Sequence, residues 1–110
     1  MKTTRIKKAT KVHRSHQDAT VESFRRDPKF AAAYLNAVLE DGDRAEIMTA
    51  LRYVTDAVGG VSAVAQRTGL NSTTIYRTLS RQGNPELKSF IDILKAVGMR
   101  MLVEPTHARR

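Results

Sequence analysis

The chain has 110 residues, a formal charge of +8, six aromatic residues, no tryptophan and no cysteine. That length suits one small domain with loose ends, the scarcity of aromatics points to a core of Leu, Val, Ile, Ala and Met, and the absence of cysteine excludes a disulfide framework or a thiolate metal site. No apolar run approaches the roughly 20 residues that span a bilayer, and the opening MKTTRIKKATKVHR lacks the apolar stretch of a signal peptide, so a cytoplasmic protein without a membrane partner is expected.

The charge is unevenly spread. Residues 1–17 carry six basic side chains and no acid, whereas residues 18–60 carry five basic and eight acidic ones. Residues 61–85 carry Arg67, Arg77 and Arg81 and no acid, and residues 86–110 are net +2. A polyanion is the natural partner of the basic parts.

Beyond Met1, residues 1–17 have Ile6 and Val12 as their only large apolar side chains and read as a flexible basic arm, either an idle tail or a phosphate-contacting one. Residues 18–26 predict a short helix with Val21, Phe24 and Arg25 on one side. Asp27 and Pro28 then cap and start a stronger helix. Its expected stripe is Phe30, Ala33, Tyr34, Ala37 and Val38, at i, i+3, i+4, i+7 and i+8. The turn Asp41-Gly42-Asp43 ends it, and Asp43 with Glu46 forms a capping-box-like start to the next helix. That helix is expected to bury Ile47, Ala50, Leu51, Val54 and Val58 and to stop at Gly59-Gly60.

The stretch 61–80, VSAVAQRTGLNSTTIYRTLS, reads as two short helices joined at Gly69. Ala65 lies four residues before that glycine and Ile75 six after it, the spacing of a helix-turn-helix. Ser62 is expected to cap the first helix and Asn71 the second, with Val61, Val64, Ala65, Ile75 and Leu79 inward. A polar loop at 81–85 leads to a helix over 86–97 with Leu87, Phe90, Ile91 and Leu94 buried, ended by Gly98. Residues 99–104 predict a short strand closed by Pro105. A lone strand needs a partner edge, here the same strand of a second subunit. Residues 106–110 read as a frayed, disordered basic tail.

With Ile75 and Leu79 inward, Ser72, Thr73, Tyr76 and Arg77 fall on the outer side of the second helix. Ser72 and Thr73 lie at the end that meets base edges in such motifs. Arg77 can contact a phosphate or fork onto guanine, a pairing that gives about 1–3 kcal/mol of discrimination. Tyr76 can touch a thymine methyl or donate to a phosphate. The free N–H groups near Ser62 suit a phosphate. The opposing interpretation is a helical hairpin with a merely wet polar face, and the absence of acids over 61–85 weighs against it.

Catalytic readings are weak, and no enzyme activity is expected. His13, His16 and His107 lie in the tails, without the cysteines or carboxylates of a metal site. Glu40, Asp41 and Asp43 cluster at a turn, where turn and capping roles explain them better than paired acid–base chemistry. Ser62, Ser72 and Thr73 have no adjacent base. Gly59-Gly60 is a helix stop and not a phosphate loop, so no nucleotide cofactor is expected. Met99 and Met101 read as packing residues.

Three segments in order, AAAYLNAVLEDGD (31–43), VAQRTGLNSTTIYRTLSRQGNPE (64–86) and FIDILKAVGMRMLVEP (90–105), resemble the addiction-module antidote proteins, HigA-like antitoxins with a Cro/C1-type helix-turn-helix. The resemblance covers residues 27–105. It implies an all-α bundle of five to six helices over 18–105. It also implies a cytoplasmic antitoxin of a type II toxin–antitoxin pair that binds a small basic RelE/ParE-like toxin and represses its own promoter as a homodimer on double-stranded DNA. By position, Asn71, Ser72, Thr73, Tyr76 and Arg77 map to the DNA-reading part, with Ser62 and Arg81 flanking it. The chain departs from the family pattern at Ala63, where many relatives have Gln, and at Ser72, where many have a basic residue; both changes shorten polar reach to DNA. The alternative is a stand-alone Cro/C1-type regulator without a toxin. The two differ in whether a small basic reading frame lies beside this one.

Overall fold

A computed structural model describes residues 17–80 and 82–106. Among the described residues the fold is all-helical: α1 (17–26), α2 (Pro28–Asp41), α3 (Arg44–Ala57), α4 (Gly60–Thr68), α5 (Ser72–Thr78) and α6 (Leu87–Ala96). α2 packs on α3, α3 on α4, and α4 on both α5 and α6. α4 is therefore the element that ties the N-terminal hairpin to the C-terminal half. The arm 1–17 lies outside the described residues except for Gln17, and the tail 106–110 except for Thr106.

The helix boundaries follow local chemistry. The Asp27 carboxylate accepts from the Phe30 N–H at 3.2 Å, and Pro28 follows at the first helical position, where no intrahelical donor is needed. Gly42, at φ 78°, ends α2 and donates its N–H to the Val38 carbonyl at 3.0 Å, a left-handed position that costs glycine nothing. Asp43 caps α3 by accepting from the Glu46 N–H at 3.1 Å. Gly98, at φ 84°, ends the α6 segment, with the Met99 N–H closing on the Leu94 carbonyl at 2.8 Å.

The core draws on every helix. Leu51, Val64, Ile75 and Ile93 are wholly buried, and Phe24, Leu35, Val54, Leu79, Leu94 and Val97 join them. Each such side chain contributes about 1.5–3 kcal/mol by leaving water. Ala50, Leu51 and Val54 of α3 are buried as the periodicity predicts, whereas Ile47 and Val58 are half-buried and Met48, Thr55 and Ala57 are buried as well.

Several expectations are corrected. α2 buries Ala31 and Leu35, not the stripe of Phe30, Ala33, Tyr34 and Ala37, which is exposed; Val38 is half-buried. α2 is apolar around most of its circumference, so periodicity alone does not choose a face. Small Ala31 sits where the core closes on the helix. Arg25 of α1 is exposed and pairs with Glu22, so only Val21 and Phe24 face inward from that helix. In α6 the buried side is Ile93, Leu94 and Ala96, while Leu87 is exposed. Residues 99–104 form no strand. They instead run beside α2, where Met99, Met101 and Leu102 line a groove with Leu35, Leu39 and Leu94. Among the described residues there is no second strand to pair with, and β-propensity without a ladder leaves the segment irregular.

Candidate nucleic-acid interface

The α4–α5 pair is built by a turn with its own wiring. Gly69 lies at φ 79° and donates to the Ala65 carbonyl at 2.9 Å. The Thr68 hydroxyl donates to the Val64 carbonyl at 2.8 Å and accepts from the Leu70 N–H at 3.1 Å. One threonine thus satisfies both sides of the chain reversal. Asn71 then starts α5, its Oδ1 accepting from the Thr74 N–H at 2.8 Å.

α5 is pinned by Ile75 (0% exposed) and Leu79 (1%), one turn apart. With those inward, Ser72, Thr73, Tyr76 and Arg77 are all exposed, and Tyr76 is 66% exposed. Six of the expected site residues therefore fall on or beside the α4–α5 pair: these four, Asn71 and Ser62. The seventh, Arg81, lies outside the described residues. The Asn71 oxygen is engaged as a cap, leaving its amide NH2 as the outward-facing group. An exposed phenol and guanidinium on one short helix offer a stacking surface, donors and a fixed positive charge, which match the edges and phosphates of a nucleic acid.

Ser62 departs from its expected role. α4 starts earlier, at Gly60, with Gly59 in the capping position at φ 120° and no side-chain cap bond. Ser62 is the third residue of α4 and is exposed. Gly59 and Gly60, expected to close α3, thus also open α4. A Cβ at Gly59 would lie 3.0 Å from the Ala63 Cβ, in a backbone conformation that L-residues rarely adopt.

Residues distant in sequence position the exposed helix. The Arg52 guanidinium of α3 donates to the Leu79 carbonyl at 2.9 Å, at the C-terminal end of α5. Arg67 of α4 does the same for α6, donating to the Ala96 carbonyl at 2.7 Å. Both place a cation on the negative end of a helix. Asp56 is solvent-accessible, yet partial desolvation at its carboxyl pushes its pKa above the ordinary range, and the neighbouring Arg52 guanidinium offsets part of that rise. Gly83 is buried where the chain leaves α5, and its N–H donates to the Ser80 carbonyl at 2.8 Å. A Cβ there would sit 1.9 Å from the Thr78 carbonyl oxygen. The residue type before Gly69 hints at the Thr68 role, but nothing in the local sequence pairs Arg52 with a carbonyl 27 residues on.

Among the described residues no group of His, Asp and Glu could hold a metal ion, and no helix is long and apolar enough to cross a membrane. His13, His16 and His107 lie outside the described residues. Glu40, Asp41 and Asp43 are exposed around the α2–α3 turn, where Asp43 is occupied as a cap.

A family model described as "Probable addiction module antidote protein" matches residues 17–105. An uncharacterised protein of Haemophilus influenzae (strain ATCC 51907 / DSM 11121 / KW20 / Rd) is 28% identical over 71 residues, covering 64% of this chain and 72% of that protein. No solved structure matches. On a match that spans α1 to α6 and the segment beyond, the chain belongs to the family of probable addiction module antidote proteins.

Proposed function

We propose that this chain is the DNA-binding antitoxin of a type II toxin–antitoxin module. In this reading α4 and α5 form a Cro/C1-type helix-turn-helix, and α5 enters the major groove of the module's own operator. The observation that carries it is α5 itself: Ile75 and Leu79 anchor one side in the core while Ser72, Thr73, Tyr76 and Arg77 stand free on the other. No acid occurs from 61 to 85 to repel phosphate. Ser72 and Thr73 meet base edges, Arg77 contacts guanine or a phosphate, and Tyr76 packs on the groove wall. The first-turn amides of α4, with no side-chain cap, face a phosphate. Arg81 and the basic arm add charge to the backbone contact. Two copies bind as a homodimer, matching a two-fold operator. The same protein neutralises a small, basic, RelE/ParE-like toxin in the cytoplasm. The function needs no catalytic group or cofactor.

The test is a gel shift on the DNA upstream of the chain's own gene. Arg77→Ala is expected to weaken binding at least about tenfold, in line with the loss of a bidentate base contact, with the melting temperature unchanged. Equal affinity for wild type and variant would refute the placement of α5. Family membership favours the antitoxin over a stand-alone regulator; co-expression with the neighbouring reading frame separates them, since only an antitoxin rescues growth.

A further inference from the structure

The stripe Phe30, Ala33, Tyr34 and Ala37 on α2 is exposed, although its residues are those of a buried face. Phe30 is 45% and Tyr34 38% exposed. Both rings pack edge-on against Phe24, with centroids 5.6 and 5.2 Å away, which fixes them in place as a rigid aromatic edge. Beside Tyr34, between α2 and α3, runs a groove of about 330 Å³ lined by Tyr34, Val38, Ala45, Glu46 and Thr49. Glu46 lines the groove, and Glu40, Asp41 and Asp43 are exposed at the adjoining α2–α3 turn, against Arg44 alone among residues 39–49. Among the described residues none of these four carboxylates is in an ion pair. A chain of net charge +8 thus carries a preformed aromatic edge with unpaired negative charge at one end.

We infer that this α2–α3 edge is the docking surface for a basic protein partner, whose apolar side chains cover Phe30 and Tyr34 and whose cations meet the carboxylates of the α2–α3 turn. The inference rests on the antitoxin reading and names where on the chain the toxin sits. Charge chooses this occupant over two others. A second copy meeting the edge about a two-fold axis at the α2–α3 turn would bring like carboxylates together, and one centred further along α2 would offer the four carboxylates only Lys29, since Arg25 and Arg26 pair with Glu22. The chain's own arm is basic, but beyond Met1 its only large apolar side chains are Ile6 and Val12, too few and too far apart to cover two aromatic rings. Aromatic anchors inside a charged rim are the usual composition of an energetic hot spot.

The experiment uses the full chain and the purified product of the adjacent reading frame, with affinity measured by calorimetry and association rates at several salt concentrations. The variant Ala37→Arg/Asp41→Lys changes only exposed positions. The new lysine lies in the last turn of α2, where a cation favours the helix, so the circular-dichroism melt is expected to match wild type. Binding should weaken at least about 30-fold, the loss of one hot spot, with a slower, less salt-dependent association. Asn36→Arg, on the other side of α2, should bind as wild type. Full-strength binding by Ala37→Arg/Asp41→Lys, with wild type binding well, overturns the surface and leaves the antitoxin reading intact. If wild type does not bind the neighbour at all, the antitoxin reading falls and the surface with it. Loss of self-association in the double variant, with neighbour binding unchanged, assigns the edge to a second copy and overturns the inference.

Discussion

Replacing Arg52 by Met removes a guanidinium while keeping most of its aliphatic stem. Arg52 donates to the Leu79 carbonyl at 2.9 Å in a half-buried setting, so the variant leaves the C-terminal end of α5 without its cationic partner. α5 has only seven residues, too few to be stable without tertiary support. A hydrogen bond from a charged donor contributes about 1.5–3 kcal/mol, and partial access of water to the freed carbonyl places the loss at the low end, about 1.5 kcal/mol. For a domain of this size that lowers the melting temperature by about 6–12 °C. Arg52 also lowers the pKa of the neighbouring Asp56, which partial desolvation raises, so the measurement belongs in a double-mutant cycle with Asp56→Asn. The drop should persist in the Asp56→Asn background, because the carbonyl and not the carboxylate is what loses its donor. Thermal unfolding followed by circular dichroism gives the magnitude, and amide exchange gives the location: the α5 amides should lose protection more than those of α2. A melt within about 2 °C of wild type, well short of the shift that such a loss produces in a small domain, together with unchanged α5 exchange, would refute the claim that α3 positions the exposed helix.

Gly83→Ala drives a Cβ to 1.9 Å from the Thr78 carbonyl oxygen; the obstacle is backbone, so the loop must shift, and a loss of about 1–3 kcal/mol is expected as a lower denaturant midpoint at unchanged slope. Asn71→Ala deletes the cap on Thr74 and should cost about 1 kcal/mol in the same assay, with Asn71→Asp close to wild type. For Asp56, partial desolvation raises the folded-state pKa above that of the unfolded chain. The folded protein then holds the proton more tightly, so stability is lost as pH rises from the ordinary carboxylate range through the folded value. Asp56→Asn should therefore be more stable than wild type at neutral pH, with the advantage shrinking below the carboxylate range; a pH-independent difference would contradict the stated cause.

Local sequence was enough to define the helices, most of their ends and the candidate interface. Asp27, Asp43 and Asn71 cap the helices they precede, and Gly42, Gly69 and Gly98 end helices at positive φ, because caps and left-handed stops act within four or five residues of themselves. Ile75 and Leu79, one turn apart, orient a seven-residue helix uniquely, so the exposure of Tyr76 and Arg77 followed from spacing alone. Packing in three dimensions settled what spacing leaves degenerate. α2 is apolar on several sides, and only its packing on α3 selected Ala31 and Leu35 over Phe30 and Tyr34. The segment 99–104 has the composition of a strand, but a strand exists only through its partner, and among the described residues none is present. Arg52 reaches Leu79 across 27 residues. Such a contact is set by the approach of α3 to the end of α5, a distance that no local pattern encodes.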